Sequence, residues 1–277
     1  MTNANRWEKM PDHIYHQRSE LSSTLLRRFM QSPLQYLHSL QFTERTDALD
    51  FGGAVHLAIL QPDDFGNGVI AAPKCDRRTK EGKATWAAFT DGLSPDTIVL
   101  DQDEWTQCNA MANMVRTSEH FLGFVERSTH VEVAGFATVK GLNCRIKPDL
   151  MGNDFLLDYK STTSCSIPAF ERSVYKYGYA IQGAFYQMIA QEIDGMLRPF
   201  YLLAQEKKAP YDFRIFELDP LLLAQARKEI METIERMNVC VAFNNFPGYS
   251  KEVVRIGLPR WFDGIVPLFG DVSEGEE

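Results

Sequence analysis

The chain is poor in the features that mark secreted, membrane-spanning and multi-domain proteins. Its five cysteines, Cys75, Cys108, Cys144, Cys165 and Cys240, are odd in number, widely spread and free of any C-x-x-C pair. That suits reduced thiols in the cytosol and gives neither a disulfide framework nor a zinc or iron–sulfur signature. No apolar run reaches the roughly 20 residues that span a bilayer, and MTNANRWEKM lacks a signal-peptide core. A soluble, cytoplasmic protein without a membrane partner is expected. No Pro-, Gly- or Ser-rich linker and no internal repeat divides the 277 residues, so one domain over 1–270 is the default. Positive charge is also scarce, with a net charge of −8. Four of the acids, Asp271, Glu274, Glu276 and Glu277, fall in 271–277, an expected disordered tail, and without them the remainder stands at −4. Five basic residues crowd into one short stretch: Lys74, Arg77, Arg78, Lys80 and Lys83. An acidic exterior with one basic channel is compatible with nucleic acid; a solvated loop, charged for solubility, is the plainer reading of the same cluster.

What the chain does carry is concentrated in RIKPDLMGNDFLLDYKSTTS, residues 145–164. Gly152-Asn153 suits a two-residue hairpin turn with Gly at the first central position. Met151 would then pair with Asp154, and Asp149 with Leu156, leaving Asp158 one step further along the same face. Side chains two apart on a strand share a face, so Asp158 and Lys160 are expected beside Asp149, with Tyr159 on the other side. Diagonal neighbours have Cα atoms roughly 7–8 Å apart, a gap two Asp side chains can close onto one ion. Upstream, HVEVAGFATV and GLNCRIKPD read as two more strands about Lys140-Gly141, and if Val139 pairs with Leu142, Glu132 falls directly opposite Asp149. Three acids then converge. Like charges this close push at least one pKa upward unless a cation neutralises them, and carboxylate oxygens suit hard ions such as Mg²⁺ or Mn²⁺ rather than Zn²⁺. A surface hairpin with scattered charges is the bland alternative. Phe155-Leu156-Leu157 argues against it, because such a run marks a central strand, and charges emerging from a buried strand end need a reason. Metal-binding carboxylates beside a lysine are the working kit of a metal-dependent nuclease.

Around this stretch the pattern reads helix, then sheet, then helix. LSSTLLRRFMQSPLQYL starts at Ser22 or Ser23 as N-cap and stops at Ser32-Pro33. DALDFGGAVHLAIL is a second helix with Ala54, Val55, Ala58 and Ile59 on its apolar face, and residues 83–91 and 103–117 look helical. Strands are expected at about 130–138, 142–150 and 154–160. A short and a long helix follow in SIPAFERSVYKYGYAIQGAFYQMIAQEI, then strands in RPFYLLAQ and DFRIFEL and a final long helix in DPLLLAQARKEIMETIERMNVCVAF. The expected class is α/β, a mixed sheet flanked by helices.

Gly52-Gly53-Ala54-Val55-His56, Lys147-Pro148-Asp149, Asp158-Tyr159-Lys160-Ser161-Thr162-Thr163 and the run Tyr177 to Tyr186, with Gln182 four residues before Tyr186, stand in an order that resembles the exonuclease VIII (RecE-type) nuclease domain. That family belongs to the PD-(D/E)XK restriction-endonuclease-like superfamily, with lambda exonuclease and the RecB nuclease domain. The similarity runs from about Leu21 to Phe246-Pro247-Gly248-Tyr249. The acid-lysine pair alone is a weak pattern; with the upstream His and downstream Gln-x-x-x-Tyr it is strong.

The resemblance implies a restriction-endonuclease-like core in which Asp149 and Asp158 bind metal, the Tyr159 carbonyl adds a ligand and His56 completes the site, while Lys160 orients or activates the attacking water. Taken alone, a His on an apolar helix is more often a core residue; Gly52 and Gly53, which allow close backbone approach, favour the functional reading. Gln182 and Tyr186 share a helix face and in the family help to position the active site and the scissile phosphate; a tyrosine that merely packs is the alternative. Arg27 and Arg28 resemble a segment that in relatives can contact the 5′-phosphate, although adjacent arginines cannot share one face. The implied activity is Mg²⁺-dependent digestion of double-stranded DNA from its ends, 5′ to 3′, leaving 3′ overhangs for a single-strand annealing protein. It further implies a ring-shaped homo-trimer or homo-tetramer, commonly phage or prophage encoded. A structure-specific or single-strand nuclease of the superfamily is the enzymatic rival and a non-catalytic DNA-binding relative the other, the latter disfavoured because Asp149, Asp158 and Lys160 are all present.

Overall fold

The computed structural model describes residues 5–41, 47–94 and 97–257, residues 47–50 by their backbone alone. The expected acidic tail lies outside them. In chain order the elements are β1 (Arg6–Lys9), α1 (Asp12–His16), α2 (Ser23–Gln31), α3 (Pro33–Ser39), α4 (Asp47–Leu60), α5 (Pro62–Gly68), β2 (Val69–Ala71), α6 (Lys80–Thr90), β3 (Ile98–Leu100), α7 (Gln102–Arg116) and α8 (Glu119–Arg127). Then come β4 (Ser128–Val131), β5 (Val133–Val139), β6 (Leu142–Ile146), β7 (Leu150–Gly152), β8 (Leu156–Thr162), α9 (Ile167–Lys176), α10 (Tyr179–Asp194), β9 (Phe200–Glu206), β10 (Phe213–Glu217) and α11 (Pro220–Phe243).

The sequence signals for these elements are local. Ser22 caps α2 by accepting the Leu25 N–H, and Ser32, with extended backbone, ends it where Pro33 begins α3. Asp219 caps α11 through the Leu221 and Leu222 N–H groups, ahead of Pro220 in the first turn.

A five-stranded mixed sheet, ordered β10-β9-β8-β7-β4, forms the centre, with β8 and β9 parallel and the remaining pairs antiparallel. The parallel pair is joined by α9 and α10, the crossover such a pair requires. Both faces are covered, so neighbouring residues feed opposite cores. Leu156 and Leu202 join Leu26 and Phe29 of α2, Phe185 and Ile189 of α10 and Ile230 of α11. Leu157 and Leu203 join Val55 and Ile59 of α4, Met111 and Val115 of α7 and Phe121 of α8. Each fully buried side chain of this size contributes about 1.5–3 kcal/mol. At Gly183 an added Cβ would lie 2.8 Å from the Phe200 ring and 3.1 Å from Leu223, so the missing side chain lets α10 sit close on β9 and α11. No helix among the described residues is long and apolar enough to cross a membrane.

Two features of the strand reading are corrected. The turn after β7 is centred on Asn153-Asp154, not Gly152-Asn153: the Gly152 N–H donates to the Phe155 carbonyl at 3.1 Å, and Leu150 pairs with Leu157. The cause is Phe155, whose buried ring packs over Gly152, where a Cβ would fall 2.4 Å from it. Continuing that register sets Asp149 opposite Asp158 rather than Leu156. The long hairpin about Lys140-Gly141 keeps its expected register, from Val139↔Leu142 to Gly135↔Ile146, and resumes at Val131↔Leu150. It is nevertheless split between two sheets. Glu132, with φ of 53°, and Lys147-Pro148 interrupt it, so that β5 and β6 join β1 while β4 and β7 join the central sheet.

Candidate active site

The split in the hairpin is where the acids gather. Glu132 lies opposite Asp149, its N–H on the Asp149 carbonyl at 3.1 Å. From the facing layer α4 brings His56, whose Nε2 is 3.0 Å from both Glu132 Oε1 and Asp149 Oδ1. The ligand atoms of these three residues lie within 4.8 Å of one another. Asp149 Oδ2 accepts the Tyr159 N–H at 2.5 Å, and Asp158 Oδ1 accepts Gln182 Nε2 at 2.8 Å while Oδ2 contacts Lys160 Nζ. Glu132 Oε2 is 2.8 Å from Lys147 Nζ, which also binds Asp12 of α1.

Glu132, Asp149 and Asp158 are all buried. Burial, and then repulsion from Asp149, push the Asp158 carboxyl up to about 6. Burial and Asp149 likewise raise Glu132 to about 7, against the opposing pull of His56 and Lys147. Asp149 keeps the charge: although burial opposes it, the contact with His56, assisted by Lys160, holds its carboxyl below the usual range. For His56 burial favours the neutral ring, but Asp149 and Glu132 outweigh it and raise the imidazole to about 9.

These residues fit a divalent cation. Glu132 Oε1 and Asp158 Oδ2 are buried and accept no hydrogen bond, and His56 Nε2 lies 3.0 Å from both Glu132 Oε1 and Asp149 Oδ1, where one ion would meet all three ligand atoms. Carboxylate oxygens with one imidazole make a predominantly hard donor set.

Of the expected site residues, His56, Glu132 and Asp149 form the compact group, while Asp158, Lys160 and Gln182 are joined to one another through the two oxygens of Asp158. Asp158 stands outside the His56–Glu132–Asp149 group, with Oδ1 on Gln182 and Oδ2 against the Lys160 ammonium. The Tyr159 hydroxyl points away, donating to Gln205 Oε1 at 3.0 Å. Tyr186 is buried, and its hydroxyl donates to the Lys147 carbonyl at 3.3 Å, so it braces the strand break. Arg27 is half-buried and donates to the Tyr177 carbonyl, whereas Arg28 is exposed. Lys74 and Arg77 line a separate cavity of about 670 Å³, where Arg77 covers the Trp86 ring at 4.4 Å. Arg78 pairs with Asp76, and Lys80 and Lys83 are exposed on α6. The side chains of Lys147 and Asp12 were not anticipated. Lys147 stands two residues before Asp149, a spacing that strand alternation would have put on the same face; the short α1 carries no periodic signal.

The architecture and the site together define a restriction-endonuclease-like fold with a P-D-x₈-D-x-K centre. A solved structure of a presumed exonuclease from Eubacterium rectale superposes with a TM-score of 0.63 at 16% identity, covering 91% of this chain and 97% of that one. Residues 22–256 match the family described as a PDDEXK-like domain of unknown function, DUF3799, and the chain belongs to that family. A second solved structure, SSO0001, aligns over 71% of this chain and 89% of its own at 15% identity, but its TM-score of 0.29 carries no argument. No curated protein matches the chain in sequence.

Proposed function

We propose that the chain is a metal-dependent nuclease that hydrolyses phosphodiester bonds in DNA. The observation that carries this is the meeting of His56, Glu132 and Asp149 within 4.8 Å, beside an Asp158 that touches Lys160. A cation bound there supplies positive charge that makes a water more acidic and offsets charge growing on the phosphate. The Tyr159 N–H fixes Asp149 and leaves its Oδ1 on His56, while Gln182 fixes Asp158 and leaves its Oδ2 on Lys160. Lys160, whose ammonium is kept protonated by Asp158 and Asp149 even against its burial, is the donor that holds the attacking water and the phosphate in line.

The finer reading is a RecE-type double-strand exonuclease, working 5′ to 3′ with Mg²⁺, or Mn²⁺ in its place. It would leave 3′ overhangs for a single-strand annealing protein and act as a homo-trimeric or homo-tetrameric ring in the cytoplasm of a bacterial host, phage or prophage encoded. Its support is the motif order and a structural neighbour whose own designation is exonuclease. The test is digestion of 5′-labelled, 3′-labelled and covalently closed circular duplexes with Mg²⁺, run beside Asp158→Asn. Loss of the 5′ label first, with circles spared, supports the finer reading. Cleaved circles make it an endonuclease. Full digestion by Asp158→Asn removes the site assignment.

A further inference from the structure

Next to Lys160 the chain displays a pair of stacked tyrosines that the hydrolytic machinery does not use. Lys160 Nζ lies 5.2 Å over the Tyr179 ring, and Tyr177 stacks on Tyr179 at 5.7 Å and 29°. Tyr179 is anchored from below by Phe170, while Tyr177 is 46% exposed and Tyr175, on the same turn of chain, 73%. A core does not need a half-exposed aromatic ring stacked on the tyrosine beside a half-buried lysine.

The elbow that presents them is fixed. Gly178 has φ of +65°, a conformation L side chains avoid, and an added Cβ would fall 2.7 Å from Arg27 Cδ. Arg27 donates to the Tyr177 carbonyl, and its buried Nε–H donates to no partner among the described residues. Lys176 lies 5.2 Å from the Tyr177 ring on a flexible stem. Exposed aromatic faces interleaved with cations form the usual platform for unpaired nucleotides, because every base has a π-face and every link a negative charge.

Resting on the nuclease reading above, we infer that Tyr177, backed by Tyr179, is a stacking platform for an unpaired base next to the scissile phosphate. The favoured substrate is then a DNA end whose terminal nucleotide has left the duplex. The base lies on the Tyr177 ring, and Lys176 swings from that ring to the adjoining phosphate. Tyr177 is in this sense a specificity-determining residue: it selects splayed strands over closed duplex without touching the reacting atoms.

The test is a double-mutant cycle between protein and DNA. Equilibrium binding of a fluorescein-labelled single strand is measured in Ca²⁺, with the strand checked for integrity, and an abasic residue is moved along it position by position. At one or two adjoining positions, removing the base weakens wild-type binding about tenfold, a typical stacking contribution. Tyr177→Ala causes the same loss on the intact strand and no further loss on that abasic strand. Tyr177→Phe stays within about twofold of wild type and Tyr177→Leu, apolar but without a π-face, does not. Tyr177→Ala leaves the dependence of log K on log salt unchanged, whereas Lys176→Gln lowers its slope by about 0.7. Absence of coupling at every position, in a wild type that binds and cleaves DNA, overturns the platform and leaves the nuclease reading standing. A wild type that neither binds nor cleaves DNA refutes the nuclease reading itself. A Tyr177→Ala protein with unaltered DNA binding but a changed oligomeric mass makes the tyrosines a protein contact and overturns the inference equally.

Discussion

Asp158→Asn should make the metal-free protein more stable while removing the nuclease activity proposed for it. The carboxyl is pushed from its ordinary 3.8 up to about 6 by burial and by Asp149, in spite of Lys160. A group whose pKa is raised on folding favours the folded state most while protonated, below its unfolded value, and that advantage is lost as pH rises through the folded value. Above pH 6 the ionised Asp158 therefore destabilises the fold. Each pKa unit is worth about 1.4 kcal/mol, so the displacement amounts to roughly 2–3 kcal/mol, shared with Glu132 and Asp149 because the three titrate together. Asparagine keeps the shape and can still accept from Gln182, but it carries no charge. In EDTA at pH 8 the variant should melt higher by a few degrees per kcal/mol, about 2–4 °C each for a chain of this size, and the difference should shrink toward zero near pH 4. Added Mg²⁺ should reverse the order, since a ligand at 100 times its Kd stabilises the wild type by about 2.7 kcal/mol. Thermal unfolding followed by circular dichroism at the two pH values decides it. A variant that melts at or below the wild type in EDTA at pH 8 would falsify the charge-repulsion account of this site.

Other outcomes follow from the same geometry. Lys160→Ala should lower the single-turnover rate by about 10²–10³ with DNA binding retained; a rate within a few-fold of wild type would remove the lysine from the chemistry. His56→Ala should weaken Mn²⁺ binding at least about tenfold, roughly 1.4 kcal/mol, as read by calorimetry or by the spectrum of free Mn²⁺. An unchanged Kd would mean that His56 packs without ligating. Asp194→Ala should cost roughly 2–4 kcal/mol, a little under the 3–5 of a fully buried pair, because it strands the buried Arg198 guanidinium, which also donates to the Gly152 carbonyl at 2.8 Å. Although partial burial opposes it, Arg198 holds the Asp194 carboxyl low. That stabilisation is therefore present above the unfolded value and disappears as pH falls through the folded one; denaturant midpoints that match wild type at pH 7 would contradict the pairing.

How far the site could be read before the fold was known depended on whether each signal was local. Spacing alone placed Glu132 opposite Asp149, because a hairpin register is fixed once the turn is fixed, and Lys140-Gly141, both with positive φ, is such a turn. The next turn misled the reading because two neighbouring dipeptides, Gly152-Asn153 and Asn153-Asp154, both suit a turn, and the choice between them falls to Phe155, which buries its ring where Gly152 has no Cβ. That is a tertiary decision, invisible to local propensity. The contribution of Asp12 and Lys147 was hidden for the same reason: α1 is too short to show a period, and its contact spans 135 positions of sequence.

The interruption at Glu132 was hidden more deeply. A continuous strand through Glu132 would have left its carboxylate on an ordinary pleat, alternating with its neighbours. Instead its φ of 53°, a conformation that costs a non-glycine residue about 1–3 kcal/mol, lies where the hairpin passes from one sheet to another, while Pro148 supplies no N–H to the ladder on the facing strand. The regular pairing lapses between Gly135↔Ile146 and Val131↔Leu150, and within that interval Glu132, Asp149 and His56 meet. An unbroken ladder satisfies its own backbone and presents side chains at fixed intervals; a broken one frees two residues to turn toward a third element. The local strain at Glu132 and its meeting with Asp149 and His56 thus have one origin, whereas Asp158 and Lys160 are supplied by the regular ladder of β8 with β9.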